Sequence, residues 1–255
     1  MKKKFMLLLL ASITVLLLSC RKGAAGPAGP AGPAGPAGVT GTEGILIMNM
    51  QDRLYPFSNS AFTTDTCIQN GNPDSNYGGC ITMRAGITGP GNISRLLVKF
   101  NTSEPLPNGT LIKAYLSFYV QQLTGSVSIR AYKMSVPWGE GSGACTGAAG
   151  SATWNDSDND PAAVIPIPQT PWTAPGGAFS TSAVSDSVTI TGTGYVTLTI
   201  NAVDFQDCID SSSPVNFMIK ADNETGSGNY ADFSTKEEPV VIEQRPRLTI
   251  YYCPR

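Results

Sequence analysis

Three aspartates alternate with other polar residues in the stretch Asn155-Asp156-Ser157-Asp158-Asn159-Asp160. Carboxylates spaced this closely present the hard oxygen ligands that Ca²⁺ prefers, although the stretch lacks the glycine and the distal glutamate of an EF-hand loop. We interpret Asp156, Asp158 and Asp160 either as ligands of a structural calcium ion or as a solvated acidic turn. The sequence indicates no required cofactor. The ion that these aspartates would bind is a structural Ca²⁺.

Histidine is absent from the chain, which removes the commonest general base and the commonest metal ligand. A Ser-His-Asp hydrolase and a histidine zinc site are therefore excluded. Without histidine, cleavage of a glycosidic bond would depend on a pair of carboxyl groups. Glu140, beside Trp138, is the acid whose surroundings are expected to raise its pKa, but the sequence assigns it no partner carboxylate. We therefore predict no catalytic residues.

Several aromatic and basic residues are candidates for binding a carbohydrate, because a flat ring can stack on a sugar while its polar group bonds a hydroxyl. Trp172 lies between Pro171 and a Pro-Gly-Gly turn, where it is either such a contact or part of the core. Four more residues are expected on the polar sides of their strands, where they either line a concave face or are solvated or covered. These are Tyr115, Tyr119, Arg130 and Tyr132.

Cys20 ends a segment that is typical of a lipoprotein export signal. Three lysines precede an apolar run from Phe5 to Leu18, and Leu17-Leu18-Ser19-Cys20 has the lipobox pattern. The run is shorter than the ~20 residues that span a bilayer, so a transmembrane helix is the weaker interpretation. We expect residues 1–19 to be removed and Cys20 to carry the lipid that anchors the protein in the cell envelope, surface-exposed or periplasmic, at the outer membrane if the cell has one.

Glycine occupies every third position from Gly23 to Gly44, with proline in the second slot at Pro27, Pro30, Pro33 and Pro36. This is the composition of a collagen triple helix, because only glycine fits at its axis. The predicted segment, residues 20–44, is therefore either a trimeric stalk, which makes the protein a homotrimer, or a single extended spacer of about 60 to 70 Å at ~3.1 Å per residue.

Five further cysteines follow the lipobox, at positions 67, 80, 145, 208 and 253. An exported protein meets an oxidising compartment, so disulfides are expected. The spacing does not fix which cysteines pair. Our hypotheses are Cys67 with Cys80 and Cys208 with Cys253, and Cys145, in the glycine-rich stretch from Gly141 to Gly150, is expected to be unpaired.

Residues 45–255 form one predicted domain in which apolar and polar residues alternate with period two, as in half-buried antiparallel strands. In the clearest case Ile112, Ala114, Leu116, Phe118 and Val120 face one way. The predicted strands span 95–100, 112–120, 126–134, 187–191, 195–200, 215–221, 230–235 and 247–252, and a helix is indicated over 202–209. Many short strands with turn-rich connections predict an all-β fold, an antiparallel β-sandwich of jelly-roll type. The formal net charge of −2, without a basic patch in this domain, argues against a nucleic-acid partner.

An ordered set of short motifs resembles the DNRLRE-type domain over about residues 63–252. The motifs are Asp65-Thr66-Cys67-Ile68, the stretch Gly71 to Gly79, Arg95 to Phe100, Ala114 to Val120, Trp138-Gly139-Glu140, Thr153-Trp154-Asn155, Trp172 to Gly177, and Arg245 to Leu248. This resemblance implies a β-sandwich of secreted and cell-surface microbial proteins. Some members are described as carbohydrate-binding modules with alginate as a ligand class, and others occur in disaggregatase-like proteins.

The resemblance also bears on individual residues. Tryptophan recurs in the family at the positions that match Trp138 and Trp154. The resemblance therefore implies that these two side chains form a structural clasp, packed under a long loop. The chain departs from the family in its cysteines, in the insert from Gly141 to Ala152, and at Ala178, where aspartate often follows the paired glycines.

Together these features lead us to expect a lipid-anchored cell-surface protein. Its β-sandwich is expected to bind extracellular polysaccharide or to mediate adhesion without catalysis. The expected partners are membrane lipid, through Cys20, and a polysaccharide. The alternatives are a structural surface protein without a defined glycan ligand, and a polysaccharide-degrading enzyme of disaggregatase type.

Overall fold

A computed structural model describes residues 44–52, 62–101, 109–144, 151–158, 170–201, 203–210, 213–226 and 228–254 of the chain. The predicted export signal with Cys20, and the Gly-X-Y segment except for Gly44, lie outside these residues. Within the described part of the chain, no helix has the length and apolar character needed to cross a membrane.

Antiparallel β-strands are the main secondary structure of the described residues, which also contain one short α-helix and one 3₁₀ turn. All eight predicted strands are present, and the helix indicated over 202–209 is observed as α1. The strands are β1 (Leu46–Met50), β2 (Thr63–Gln69), β3 (Thr82–Gly89), β4 (Asn92–Phe100), β5 (Gly109–Thr124), β6 (Val127–Met134), β7 (Asp156–Asp158), β8 (Thr170–Pro171), β9 (Phe179–Ala183), β10 (Val188–Ile190), β11 (Gly194–Ile200), β12 (Val215–Ala221), β13 (Asn229–Ser234) and β14 (Arg247–Pro254). The helix α1 is Val203–Asp210, and the 3₁₀ turn is Ile242–Gln244.

Twelve strands form one continuous hydrogen-bonded sheet, whose main path is β1-β14-β5-β13-β3-β4-β12-β6-β10. Beside this path, β11 pairs with β5, β2 with β4, and β9 with β6, while β7 and β8 form a separate small sheet. All of these pairings are antiparallel. The all-β, antiparallel fold class predicted from the sequence is therefore confirmed.

The sheet bends so that its two halves bury their inner faces against each other. The strands β5 and β6 follow one another in sequence but do not pair, since the chain crosses from one half to the other at Gly125 and Ser126. Nevertheless Phe118 of β5, Ile129 of β6 and Phe217 of β12 belong to a single buried cluster. This is the packing of a β-sandwich, in which outward side chains of the two halves point away from each other.

One corner of the sheet lies at Gly86, where β3 leaves its pairing with β13 and meets the start of β4. Gly86 has a φ of +121°, and a Cβ there would collide with the backbone of Asn229 and Tyr230. Only glycine permits this conformation and this approach.

A β-bulge in β5 changes which residues face the core. Tyr251 pairs with Lys113 but Tyr252 pairs with Leu111, so Ile112 is the extra residue. Leu111 is buried and Ile112 is only half-buried. The prediction that Ile112 shares the inward face with Ala114 is therefore wrong, because strict alternation does not anticipate the inserted residue.

The expected disulfide between Cys67 and Cys80 is also wrong. Cys67 is a free thiol buried on the inner face of β2, where burial raises its pKa. Cys80 is disulfide-bonded, and its sulfur lies 3.9 Å from the carbonyl oxygen of Gly143, on the side of the loop after β6. Cys145 and the side chain of Cys208 lie outside the described part of the structure, so their expected states remain predictions.

Phe118 is the clearest test of this core. It is fully buried and packs edge to face on Phe233, with ring centroids 5.7 Å apart. We expect Phe118→Ala to lower the free energy of unfolding by about 3 to 5 kcal/mol, because it removes the transfer energy of a ring and leaves a cavity. Urea denaturation measures this loss. The control is Gln122→Ala at an exposed position of the same strand, which should change stability by less than about 0.5 kcal/mol.

Candidate functional site

The three tryptophans lie together on the outer face of the half-sandwich that contains β4, β12 and β6. Trp138 and Trp172 are buried in a second apolar cluster with Leu97 and Met218, and Trp154 packs against it half-buried. The indole N–H of Trp172 donates a hydrogen bond of 2.9 Å to the carbonyl oxygen of Thr153. Trp172 is only 5% exposed, so its ring faces the core and does not offer the open surface that stacking on a sugar requires.

Charged residues hold the loops over this tryptophan cluster. The ammonium of Lys99 lies 4.7 Å from the ring centroid of Trp138 and donates to the Trp138 carbonyl oxygen. The guanidinium of Arg95 lies 4.9 Å from the Trp154 centroid and donates to the carbonyl oxygen of Gly176. A cation over an aromatic face is attracted by the ring quadrupole. These contacts agree with the structural clasp that the family resemblance implies for Trp138 and Trp154.

Two consecutive glycines allow the loop between β8 and β9 to approach the sheet closely. Gly176 and Gly177 have φ values of +92° and +99°. A Cβ at Gly176 would crowd Arg95 and Trp154, and one at Gly177 would collide with Met218. A side chain at either position would therefore strain the backbone and force neighbouring side chains to move.

The same face carries an ion-pair network that neutralises its charges. Arg95 donates to both carboxylate oxygens of Glu224 at 2.8 and 2.6 Å, and Lys220 reaches Glu224 at 3.1 Å. Burial alone would raise the pKa of Glu224, but these two cations outweigh it and lower the pKa below its ordinary value. Tyr132 packs edge to face on Phe179, and Arg130 pairs with Asp222 at 3.1 Å. The charged side chains of this face are therefore paired with one another.

The opposite outer face contains four tyrosines in two pairs, which we call the tyrosine face: Tyr115, Tyr119, Tyr195 and Tyr251. Tyr115 meets Tyr251 edge to face at 5.7 Å, and Tyr119 meets Tyr195 at 5.1 Å between ring centroids. All four alternate with buried core residues on β5, β11 and β14 and therefore point outward. Tyr195 is 57% exposed and the others are half-buried.

Hydroxyl and amide groups lie between and beside these rings. Ser117 and Thr197, which are paired across β5 and β11, have their hydroxyl oxygens 2.9 Å apart. Thr249 donates to the side-chain oxygen of Asn49 at 2.7 Å. At one end the hydroxyl of Tyr195 donates to the carbonyl oxygen of Glu243. The face thus combines flat rings with short polar side chains.

The structure divides the sequence-predicted carbohydrate contacts between the two outer faces. It brings Tyr115 and Tyr119 together, whereas Arg130 and Tyr132 lie on β6, on the far side of the sandwich. Tyr195 and Tyr251 were missed as site residues. Their alternation was visible in the sequence, but the pairing that sets them beside Tyr115 and Tyr119 was not.

Two of the three proposed calcium ligands lie in the short strand β7. Asp156 is buried, and burial together with nearby Asp74 raises its pKa, while Asp158 is half-buried. Asp160 lies outside the described residues. Among the described residues, no three acidic, cysteine or histidine side chains are close enough to hold a metal ion. The calcium site therefore stays a prediction.

A third group of charged residues lies at one end of the sandwich, and we call it the carboxylate cluster: Asp65, Glu140 and Lys236. Asp65 is buried, and the other two are partly buried. Lys236 reaches one oxygen of Glu140 at 2.9 Å, and the backbone N–H of Asp65 donates to the other at 2.8 Å. The carboxyl of Asp65 accepts the backbone N–H of Lys236 at 2.7 Å. Burial raises the pKa of Glu140, as expected from the sequence, and raises that of Asp65 well above its ordinary value.

Asp65 is the carboxyl partner of Glu140 that the sequence could not assign. It is 0% exposed, and both oxygens of Glu140 are already engaged. Asp65 itself therefore has no access to a polymer in solvent. The contacts of the cluster join β2 to the loop after β6 and to the segment after β13.

Comparison with models of known protein families finds no match to this chain, and comparison with curated proteins finds no similar sequence.

The raised pKa of Asp65 predicts a particular pH dependence of stability. The unfolded carboxyl loses its proton near pH ~3.9, while the folded protein retains it to a higher pH. Between these two pH values the folded state binds more protons, so the free energy of unfolding falls as the pH rises. Asp65→Asn removes this titration and should make the fall above about pH 4 less steep.

Urea denaturation at a series of pH values measures the effect. The matched control is Asp186→Asn at an exposed carboxylate, which should keep the wild-type slope. A variant Asp65→Asn whose stability declines with pH as steeply as that of the wild type contradicts the explanation.

Proposed function

We propose that this protein is a lipid-anchored protein of the cell envelope whose β-domain binds extracellular polysaccharide without cleaving it. The single observation that supports this most is the tyrosine face. Its rings are fixed in pairs by edge-to-face packing, so little conformational entropy is lost when a ligand covers them.

The face has the chemistry that a sugar polymer needs. Tyr115 and Tyr119 are four residues apart on one strand, which separates the two ring pairs by about 13 Å. Several monosaccharide units in a row could therefore contact apolar rings. Between the rings, the exposed Thr197 provides a hydroxyl that can bond to sugar hydroxyls, and the buried Ser117 holds it in place. We therefore place the binding surface at the tyrosine face rather than at Trp172.

The proposal also includes the connectivity of the sandwich and the segments that attach the domain to the membrane. We infer a jelly-roll connectivity of the sandwich, a removed export signal over residues 1–19, and a Gly-X-Y stalk over residues 20–44. As a triple helix, the stalk would present three domains together and raise the avidity for a repetitive polymer. As a single chain it would hold one domain away from the membrane.

The alternative of a structural surface protein predicts no saturable binding to a glycan. It is favoured if the tyrosine face instead packs against another protein. The enzyme alternative is less well supported, because Asp65 is fully buried and both oxygens of Glu140 already have partners.

Removal of an exposed ring tests the binding surface. We expect Tyr195→Ala to weaken retention on the polysaccharide that the full-length protein binds by about 1 to 2 kcal/mol, roughly 5- to 30-fold in affinity. The melting temperature should change little, because Tyr195 is exposed. A glycan array identifies the polymer, and affinity electrophoresis measures the retention.

Tyr132→Ala is the matched control, since it removes a tyrosine from the opposite face. It should leave retention unchanged. Equal losses in the two variants, or no loss in Tyr195→Ala, would argue that the tyrosine face is not the binding surface.

The anchor is tested separately. We expect Cys20→Ala to accumulate as an uncleaved precursor without lipid, because the cysteine thiol is the acylation site. Phase partitioning in detergent should then move the protein to the aqueous phase. Ser19→Ala, which keeps a small residue before Cys20, is the control and should still be lipidated. A detergent-phase protein in Cys20→Ala cells contradicts the anchor.

A further inference from the structure

The carboxylate cluster brings an amine and a carboxyl group from distant parts of the chain into direct contact. The ammonium nitrogen of Lys236 lies 2.9 Å from Oε2 of Glu140. Their side chains are only 15% and 20% exposed. Lys236 follows β13 and Glu140 lies in the loop after β6, so the contact joins two segments that do not pair as strands.

The other oxygen of Glu140 is already polarised. Oε1 accepts the backbone N–H of Asp65 at 2.8 Å. A fixed N–H donor on a carbonyl oxygen is the arrangement that stabilises the negative charge of a tetrahedral intermediate during acyl transfer. Oε1 therefore has the environment of a carbonyl oxygen under attack, and Oε2, beside Lys236, has that of a leaving oxygen.

Asp65 supplies an acid beside this pair. Its side chain is 0% exposed, one oxygen is held by the backbone N–H of Lys236, and the other is buried without a hydrogen-bond partner among the described residues. Burial raises the pKa of Asp65 well above its ordinary value, and the charges of Glu140 and Lys236 both act on it. Asp65 is therefore a carboxyl group with a raised affinity for a proton, which suits it to give a proton and take it back.

We propose that Lys236 and Glu140 form an intramolecular amide cross-link, with Asp65 as the proton-transfer group. A proton moves from the ammonium to the carboxylate, and the neutral Nζ attacks Cδ of Glu140. The Nζ–Cδ bond forms, the Cδ–Oε2 bond breaks, and Oε2 leaves as water. The ammonium and the carboxylate together contain the atoms of one amide and one water, so no oxidant or other reactant is needed. Asp65 gives a proton to the departing oxygen and regains one from the nitrogen.

The step starts from an ion pair. Burial lowers the pKa of Lys236, but its contact with Glu140 outweighs this and raises it, so the ammonium must first give its proton to the carboxylate, whose own pKa is raised by burial. The two groups are also held in contact by the fold, which supplies the proximity that a reaction between free amine and acid lacks. Lys236 also touches the carboxylate of Glu237 at 3.3 Å, but that side chain is 42% exposed and has no comparable setting.

Peptide mapping of the purified full-length protein by mass spectrometry tests the proposal. We expect a pair of joined peptides, one containing Glu140 and one containing Lys236, whose mass is lower than their sum by one water. Trypsin, which cleaves after free lysine, should leave the bond after Lys236 intact. If the two peptides are instead recovered separately, with cleavage after Lys236, the proposal is overturned.

Three variants assign the roles. Lys236→Arg keeps the positive charge and an ion pair with Glu140 but should lose the cross-link entirely. Asp65→Asn should slow its formation at least tenfold during refolding, and a bond that forms equally fast overturns the role of Asp65. Glu237→Gln is the matched control and should cross-link like the wild type. A bond from Lys236 to Glu237 would instead lie within one peptide and leave the Glu140 peptide separate in the wild type, and that result would overturn the proposal.

Discussion

The domain depends on one constraint, which is that the long strands of both halves of the sheet must bury one face in the same core. Phe118 on β5 and Phe217 on β12 are completely buried in that core, although the sheet connects their strands only by way of several others. Because side chains alternate along a strand, this burial also decides which residues point outward. The two outer faces are the consequence of a single packing requirement.

The two outer faces differ in whether other parts of the chain cover them. On the side of β4, β12 and β6, the chain between β6 and β9 returns over the sheet and buries Trp138 and Trp172 in a second apolar cluster. Arg95 fixes that cover by bonding Glu224 and the carbonyl oxygen of Gly176 at once. On the side of β5, β11 and β14, the outward rings pack in pairs and Tyr195 stays largely exposed. This contrast is the reason for proposing ligand binding at the tyrosine face.

The carboxylate cluster is the costly part of the structure. Burying a carboxyl group is unfavourable unless it is hydrogen-bonded or neutral. Asp65 accepts the backbone N–H of Lys236, and burial raises its pKa, which favours the neutral form. Glu140 meets it through Lys236 and the backbone of Asp65. The three groups depend on each other, and they tie the loop that begins the tryptophan cluster to the edge of the core.

The sequence by itself determined the all-β class and the eight strands predicted from period-two alternation. Alternate side chains of a half-buried strand face the core and the solvent, so apolar and polar residues alternate along it. The sequence also indicated the short helix α1 and the raised pKa of Glu140. It missed six strands, namely β1, β2, β3, β7, β8 and β9. It also placed Ile112 inward, because a bulge depends on how two strands pair and not on either strand alone. Only the tertiary structure decided that Tyr195 and Tyr251 lie beside Tyr119 and Tyr115, that Trp172 is buried, that Cys67 stays a thiol, and that Asp65 and Lys236 meet Glu140. Each of these is a contact between residues far apart in the chain, and composition and local spacing carry no information about which distant segments a folded sheet brings together.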